Sequence, residues 1–265
     1  MPGAGVQTRD SLGLERTAGE DRSGRSSERF LPARNQIIGG KIHGLVQGVD
    51  VVSDVRCEQW RPGIWRWWAY SPAHKVELMS HAVRGRAGAW VLFDPIPLNQ
   101  RQVELWCDGG GIDTIVLTNG NHERAAAEWR RAFGCRVAGP TGVPWEMEGI
   151  RDDRDVVLDG WKAIRLEGGA PGETAWWLES ESLMVFGDAV VNLAGRGLEL
   201  LPDKYCQDPK WLRRSLQTLL SHPFESALFA HGDPLPRAAS TRIGGLLTGR
   251  SVGGMTGGPK DRMAG

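Results

Sequence analysis

No run of 18 consecutive apolar residues occurs in the 265-residue chain, so no helix predicted from it spans a bilayer and no membrane partner is expected. The first thirty residues lack an apolar core and carry Arg9, Asp10, Glu15, Arg16, Glu20 and Asp21, which speaks against a secretory signal or transit peptide and leaves a cytoplasmic address as the expectation. Charge of one sign is missing too. Lys and Arg total 32 against 32 for Asp and Glu, and without a basic surplus to neutralise phosphates no nucleic-acid partner is expected. Cysteine is sparse: Cys57, Cys107, Cys135 and Cys206 show neither CxxC nor Cys/His finger spacing, so reduced, packed thiols are expected. A phosphate-binding loop of the Walker type and a GxSxG nucleophile elbow are both absent.

What is present describes a globular protein. Hydrophobic residues make up 40% and charged residues 24%, a balance that can bury a core. Residues 1–35, rich in Gly, Ser, Arg and Glu without a sustained period, read as a disordered leader; 36–247 read as the folded body, and 248–265 as a disordered Gly-rich tail. Twelve tryptophans are present, with Trp65, Trp67 and Trp68 in one cluster and Trp176–Trp177 in another, and their large surfaces are expected in the core before any pocket wall.

Short apolar runs alternate with helical patterns along the body. Strands are predicted over 49–55, 63–70, 90–94, 113–118, 156–159, 161–166, 174–178, 183–187 and 227–230. Asn99 with Gln102 forms a capping-box pattern for a helix to about Cys107. Asn121 is the expected N-cap of a helix from His122 to Phe133. Asp208–Pro209 opens a helix with Leu212, Leu216, Leu219 and Leu220 on its inner face. Two β-rich halves, each covered by helices, predict an αββα four-layer sandwich, or failing that an open α/β sheet.

Polar residues interrupt the strand ends in a definite order: LFDP (92–95), LTNGNHER (117–124), GGAPGE (168–173), VFGDAV (185–190) and FAHGDP (229–234). In order and spacing these motifs resemble those of the metallo-β-lactamase-fold superfamily, whose HxHxDH loop, GHTPGS turn, Gly-Asp strand end and final histidine carry one or two metal ions. Laid over those ligands stand Asn119, Asn121, Glu123, Arg124 and Gly169, so that only Asp188 and His231 are retained. Asn amides are poor zinc ligands, Gly offers no side chain, and Arg repels a cation, so a dinuclear centre is not expected.

The resemblance therefore implies a hydrolase-like protein with an altered, metal-poor site acting on a small ester, thioester or amide. Asp188 and His231 would stand nearest the reacting centre. In one reading Arg124 supplies the missing positive charge, pairs with Asp188 and Glu123, and stabilises anionic character, with His122 or His231 as general base. In the plainer reading Asn121 caps a helix, Glu123 sits in its first turn and Arg124 makes a surface contact. Cofactors are expected to be absent, or limited to a single zinc or iron on Asp188, His231 and either His122 or Glu123. Lys204, Asn119, Asn121 and Glu173 are candidates for binding a small, anionic ligand. Lys204 otherwise pairs with Asp203, and Asp94 is expected to order the following loop. A non-catalytic binding or scaffold protein is the alternative.

Overall fold

The computed structural model of the protein describes residues 54–249 apart from 108–109, 157 and 159. An antiparallel meander comes first: β1 (Arg56–Arg61), β2 (Ile64–Ser71), β3 (Val76–Arg84) and β4 (Trp90–Phe93). Helical crossovers then make the chain parallel. α1 (Gln100–Glu104) leads to β5 (Ile112–Val116), α2 (Ala126–Phe133) to β6 (Arg136–Gly139), and β7 (Arg151–Asp152) completes a seven-stranded sheet in chain order. β8 (Trp161–Arg165), β9 (Thr174–Leu178) and β10 (Leu183–Phe186) begin a second sheet. A small hairpin of β11 (Val190–Leu193) and β12 (Gly197–Leu200), then α3 (Pro209–Leu219), precede β13 (Ser226–Phe229), which lies parallel to β10 at the sheet edge. α4 (Ala239–Thr248) ends the described chain.

Three separate cores account for four layers. Trp67, Leu92, Ile115 and Val137 of the first sheet pack against Val103 of α1 and Trp129 of α2. Phe93 and Val116 of the first sheet meet Trp161, Trp176, Val185 and Leu228 of the second. On the far side, Phe186 and Phe229 pack against Leu212 and Leu216 of α3 and Ile243 of α4. The layer order is thus helices, sheet, sheet, helices, the expected αββα sandwich rather than an open sheet. The tryptophans fill it: Trp67 stacks on Trp106 at 5.9 Å between ring centroids, and the indoles of Trp67 and Trp129 both donate to the Ile96 carbonyl.

Local signals hold where the backbone alone decides. Asn99 accepts from the Gln102 amide at 3.0 Å and Gln102 Oε1 accepts from the Asn99 amide, a complete capping box, although α1 stops at Glu104. Asp208 Oδ1 accepts from the Lys210 and Trp211 amides at 2.9 Å ahead of Pro209. Asp208→Ala should cost about 1 kcal/mol, read as a lowered urea midpoint with an unchanged slope.

Several expectations change. α2 starts at Ala126, not His122, because Arg124 adopts a left-handed φ of 44° that no helix continues through; Asn121 therefore caps nothing. Val156 and Leu158 are buried without joining a ladder, while 157 and 159 fall outside the described residues. Of the strand predicted at 49–55, only Asp54 and Val55 are described, and they precede β1. α4 continues the folded body through Thr248. The expected leader and residues 250–265 lie outside the described residues. No helix among the described residues is long and apolar enough to cross a membrane.

His81 of β3 is buried, with Nε2 on the Phe229 carbonyl at 2.9 Å and no partner for Nδ1. Burial pushes its pKa down to about 4. The unfolded chain therefore takes up a proton below about pH 6.5 that the fold refuses, so this residue withdraws stability as pH falls towards 4. Relative to the parent, His81→Gln should gain about 3 kcal/mol between neutral pH and pH 4, measured by urea unfolding at both.

Candidate metal centre

The strands β4, β5, β10 and β13 deliver their C-terminal ends to one edge of the sandwich, and the polar motifs converge there. Asp188, just after β10, places Oδ1 3.2 Å from Nε2 of His122 and 3.0 Å from Nε2 of His231. The three donor atoms all lie within 4.8 Å of one another, the one group of three or more His, Cys, Asp or Glu residues among the described residues so arranged. Each imidazole is held from behind. His122 Nδ1 lies 2.9 Å from Asp94 Oδ2, and His231 Nδ1 donates to the Glu77 carbonyl at 2.9 Å. Those contacts hold the Nδ1 side of each ring and turn both Nε2 atoms towards the shared carboxylate.

A further set of contacts fixes the acid groups. Asn119 donates from Nδ2 to Asp188 Oδ2 at 3.1 Å and to Glu173 Oε2 at 3.0 Å, and Glu173 Oε1 accepts from the Ala189 amide. Gly187 makes room for this cradle, since a Cβ there would meet Thr118 Oγ1 at 2.6 Å and Glu173 Oε1 at 2.7 Å. Asp94 is itself clamped by the Thr118 amide at 2.8 Å and the Thr118 hydroxyl at 2.6 Å.

The electrostatics favour a positive charge at the centre. Burial alone would lower the pKa of His122, but Asp188 and Asp94 overcome it and push it up to about 9. Burial opposes ionisation of Asp188 as well, yet His122 and His231 hold its carboxyl well below the usual range. Glu173 is pushed up to about 8 by burial and by the neighbouring Asp188.

The donor set suits a metal ion. Tetrahedral zinc with bonds of about 2.0–2.1 Å separates its ligands by about 3.3 Å, close to the 3.0 and 3.2 Å contacts here. Two imidazoles and one carboxylate leave a position open, and the carboxylate and carbonyl behind the rings are the partners that metal-bound histidines use. Asp94→Asn should weaken zinc binding by about ten- to a hundredfold, as measured by chelator competition.

The sequence candidates divide sharply. His122, Asp188 and His231 meet, with Asn119 and Glu173 beside them. Glu123 does not join: its carboxylate accepts from the Glu146 amide at 2.8 Å and the Met147 amide at 2.7 Å. Arg124 forms no ion pair with Asp188 or Glu123; its guanidinium donates to the Met79, Asp94 and Ala230 carbonyls and so ties three strands together beneath the centre. Asn121 is exposed and contributes an amide N–H to Asn119 Oδ1. Lys204 is exposed, with its ammonium 4.6 Å from the Tyr205 ring centroid, while Asp203 pairs with Arg213. Asp94 and Glu77 are the functional partners that sequence reasoning missed. The Asp-Pro motif was a signal for the first, but a main-chain carbonyl leaves none.

A family model described as the metallo-β-lactamase superfamily matches residues 57–246. The chain belongs to the metallo-β-lactamase superfamily. Solved structures of the superfamily share its fold. DIM-1 metallo-β-lactamase is 18% identical, with a TM-score of 0.59 over 75% of this chain and 99% of that one. A metallo-β-lactamase from Pontibacter korlensis is 16% identical, with a TM-score of 0.56 over 74% and 100%. FIM-1 from Pseudomonas aeruginosa, in its mono-zinc form, is 14% identical, with a TM-score of 0.56 over 74% and 96%. No curated protein matches the sequence.

Proposed function

We propose that this superfamily member is a hydrolase working with a single metal ion held by His122, Asp188 and His231. The observation that carries the reading is the convergence of two Nε2 atoms on one carboxylate oxygen, with both Nδ1 atoms engaged from behind. Zinc or iron(II) suits such a two-histidine, one-carboxylate set. FIM-1, which shares this fold, is known in a mono-zinc form, which supports a reading with one ion. When bound, the ion supplies Lewis acidity and a water acidified towards neutrality.

The chain's own residues do the rest. Asp94 keeps the His122 ring in one tautomer and orientation, and the Glu77 carbonyl does the same for His231. Asn119 takes Asp188 Oδ2, leaving Oδ1 to face the rings. Arg124 holds the strand ends that carry Asp94 and His231 at a fixed separation. The substrate class is a small ester, thioester or amide, met in the cytoplasm.

The test is direct. Protein purified without chelator should carry about one zinc or iron per chain and hydrolyse a member of an ester, thioester and amide panel. Chelation should abolish turnover and metal return should restore it. Metal without turnover on any substrate would turn the reading towards a binding protein. Turnover in metal-free protein, indifferent to chelator, would overturn it.

A further inference from the structure

We propose a second ligand site, an oxyanion pocket at the far end of α2 from the metal centre, that takes a phosphate dianion. A cavity of about 290 Å³ is lined by Arg130 of α2, Arg136 of β6 and Arg151 of β7, with Cys135 and Val137 as its buried floor. α2 spans about 12 Å over its eight residues, which separates this cavity from the loop that carries His122.

Charge is the first argument. Of the three guanidiniums, Arg136 pairs with Asp113, Arg130 donates to the Glu148 carbonyl, and Arg151 has no ion-pair partner among the described residues. Three positive groups against one carboxylate leave a surplus of two, which matches the charge of a phosphate monoester near neutrality. Arg130 also offsets the negative end of the α2 dipole, but Arg136 and Arg151 come from strands and have no such role. Guanidiniums retain free donors when partly paired, and their planar fork suits phosphate oxygens.

Shape is the second. Gly149 adopts a left-handed φ of 74°, and a Cβ there would lie 3.1 Å from both terminal nitrogens of Arg130. Glycine at this position lets the guanidinium lie across the pocket wall without a clash. The volume is at the small end for ligand sites, which selects a phosphate or a sugar phosphate over a larger molecule.

Calorimetric titration of the full chain with inorganic phosphate, ribose 5-phosphate and ribose tests the pocket. Both phosphates should bind with a Kd of about 1 mM or tighter, and ribose should not. Arg151→Gln should weaken binding about tenfold, whereas the exposed Arg56→Gln should leave it unchanged. Asp188→Ala should also leave it unchanged, which separates this pocket from the proposed metal centre even if that proposal fails. Tighter binding of ribose 5-phosphate identifies an ester as the ligand; equal affinities identify free phosphate. Equal affinity in Arg151→Gln and the parent, loss of binding in Asp188→Ala, or no heat up to about 10 mM would overturn the proposal.

Discussion

Asp188→Ala should strip the protein of metal while leaving it folded. The carboxylate is the one group that both imidazoles face, at 3.2 and 3.0 Å, so its removal takes away a ligand and the counter-charge of His122 together. Zinc sites with a full set of protein ligands bind with about 10–16 kcal/mol, and losing one of three protein ligands should weaken affinity by about three orders of magnitude. Glu123→Ala is the matched control. Its carboxylate holds the Glu146 and Met147 amides instead of the centre, so this variant should keep its metal and lose only local order in that loop. Elemental analysis of the two variants side by side decides between the ligand sets: metal in Asp188→Ala, or its loss in Glu123→Ala alone, would refute the assignment.

Gly232→Ala should be the most damaging single methyl addition near the site. Gly232 follows His231 at a φ of 90°, and a Cβ there would lie 1.9 Å from the Asn192 carbonyl oxygen. That carbonyl accepts from the Asp233 amide at 2.9 Å, and the Asn192 amide donates to the His231 carbonyl at 3.1 Å. Arg66 closes the other side by donating to Asp233 Oδ1 at 2.8 Å. The loop has no slack, so strain and overlap together should cost more than about 3 kcal/mol and swing His231 away from Asp188. Gly195→Ala shares a positive φ, 76°, but meets nothing within 4 Å, and should cost only about 1 kcal/mol with metal content unchanged. Equal losses in the two variants would contradict the role given to the His231 loop.

The sequence disclosed the sandwich through the order of its strand-end motifs, and it disclosed Asp188 and His231 because they keep the Gly-Asp and His-Gly positions. It was less informative about His122. Laid over the HxHxDH loop it falls between ligand positions, and only the fold brings Asp94 and Asp188 to its two ring nitrogens. The Asp-Pro motif marks Asp94, but its imidazole partner lies 28 residues away, too far for any local pattern to pair the two. The sequence offers Arg124 as a partner of Asp188 and Glu123 or as a surface contact, yet three unrelated carbonyls claim it, and carbonyls carry no sequence signature. β3 escaped prediction for a different reason. Its residues 79–83 are buried on both faces, so the alternation that marks a half-exposed strand is missing. α4 was obscured by Gly244 and Gly245 within it, which interrupt a helical pattern that packing nevertheless sustains.

X-ray absorption at the zinc edge of protein loaded with one equivalent of zinc addresses the central claim most directly. The account predicts two imidazole nitrogens and one carboxylate oxygen at about 2.0–2.1 Å, one imidazole fewer in His122→Ala, and no metal–metal scattering. A spectrum with sulfur ligands, with a second zinc nearby, or with an unchanged shell in His122→Ala would contradict it.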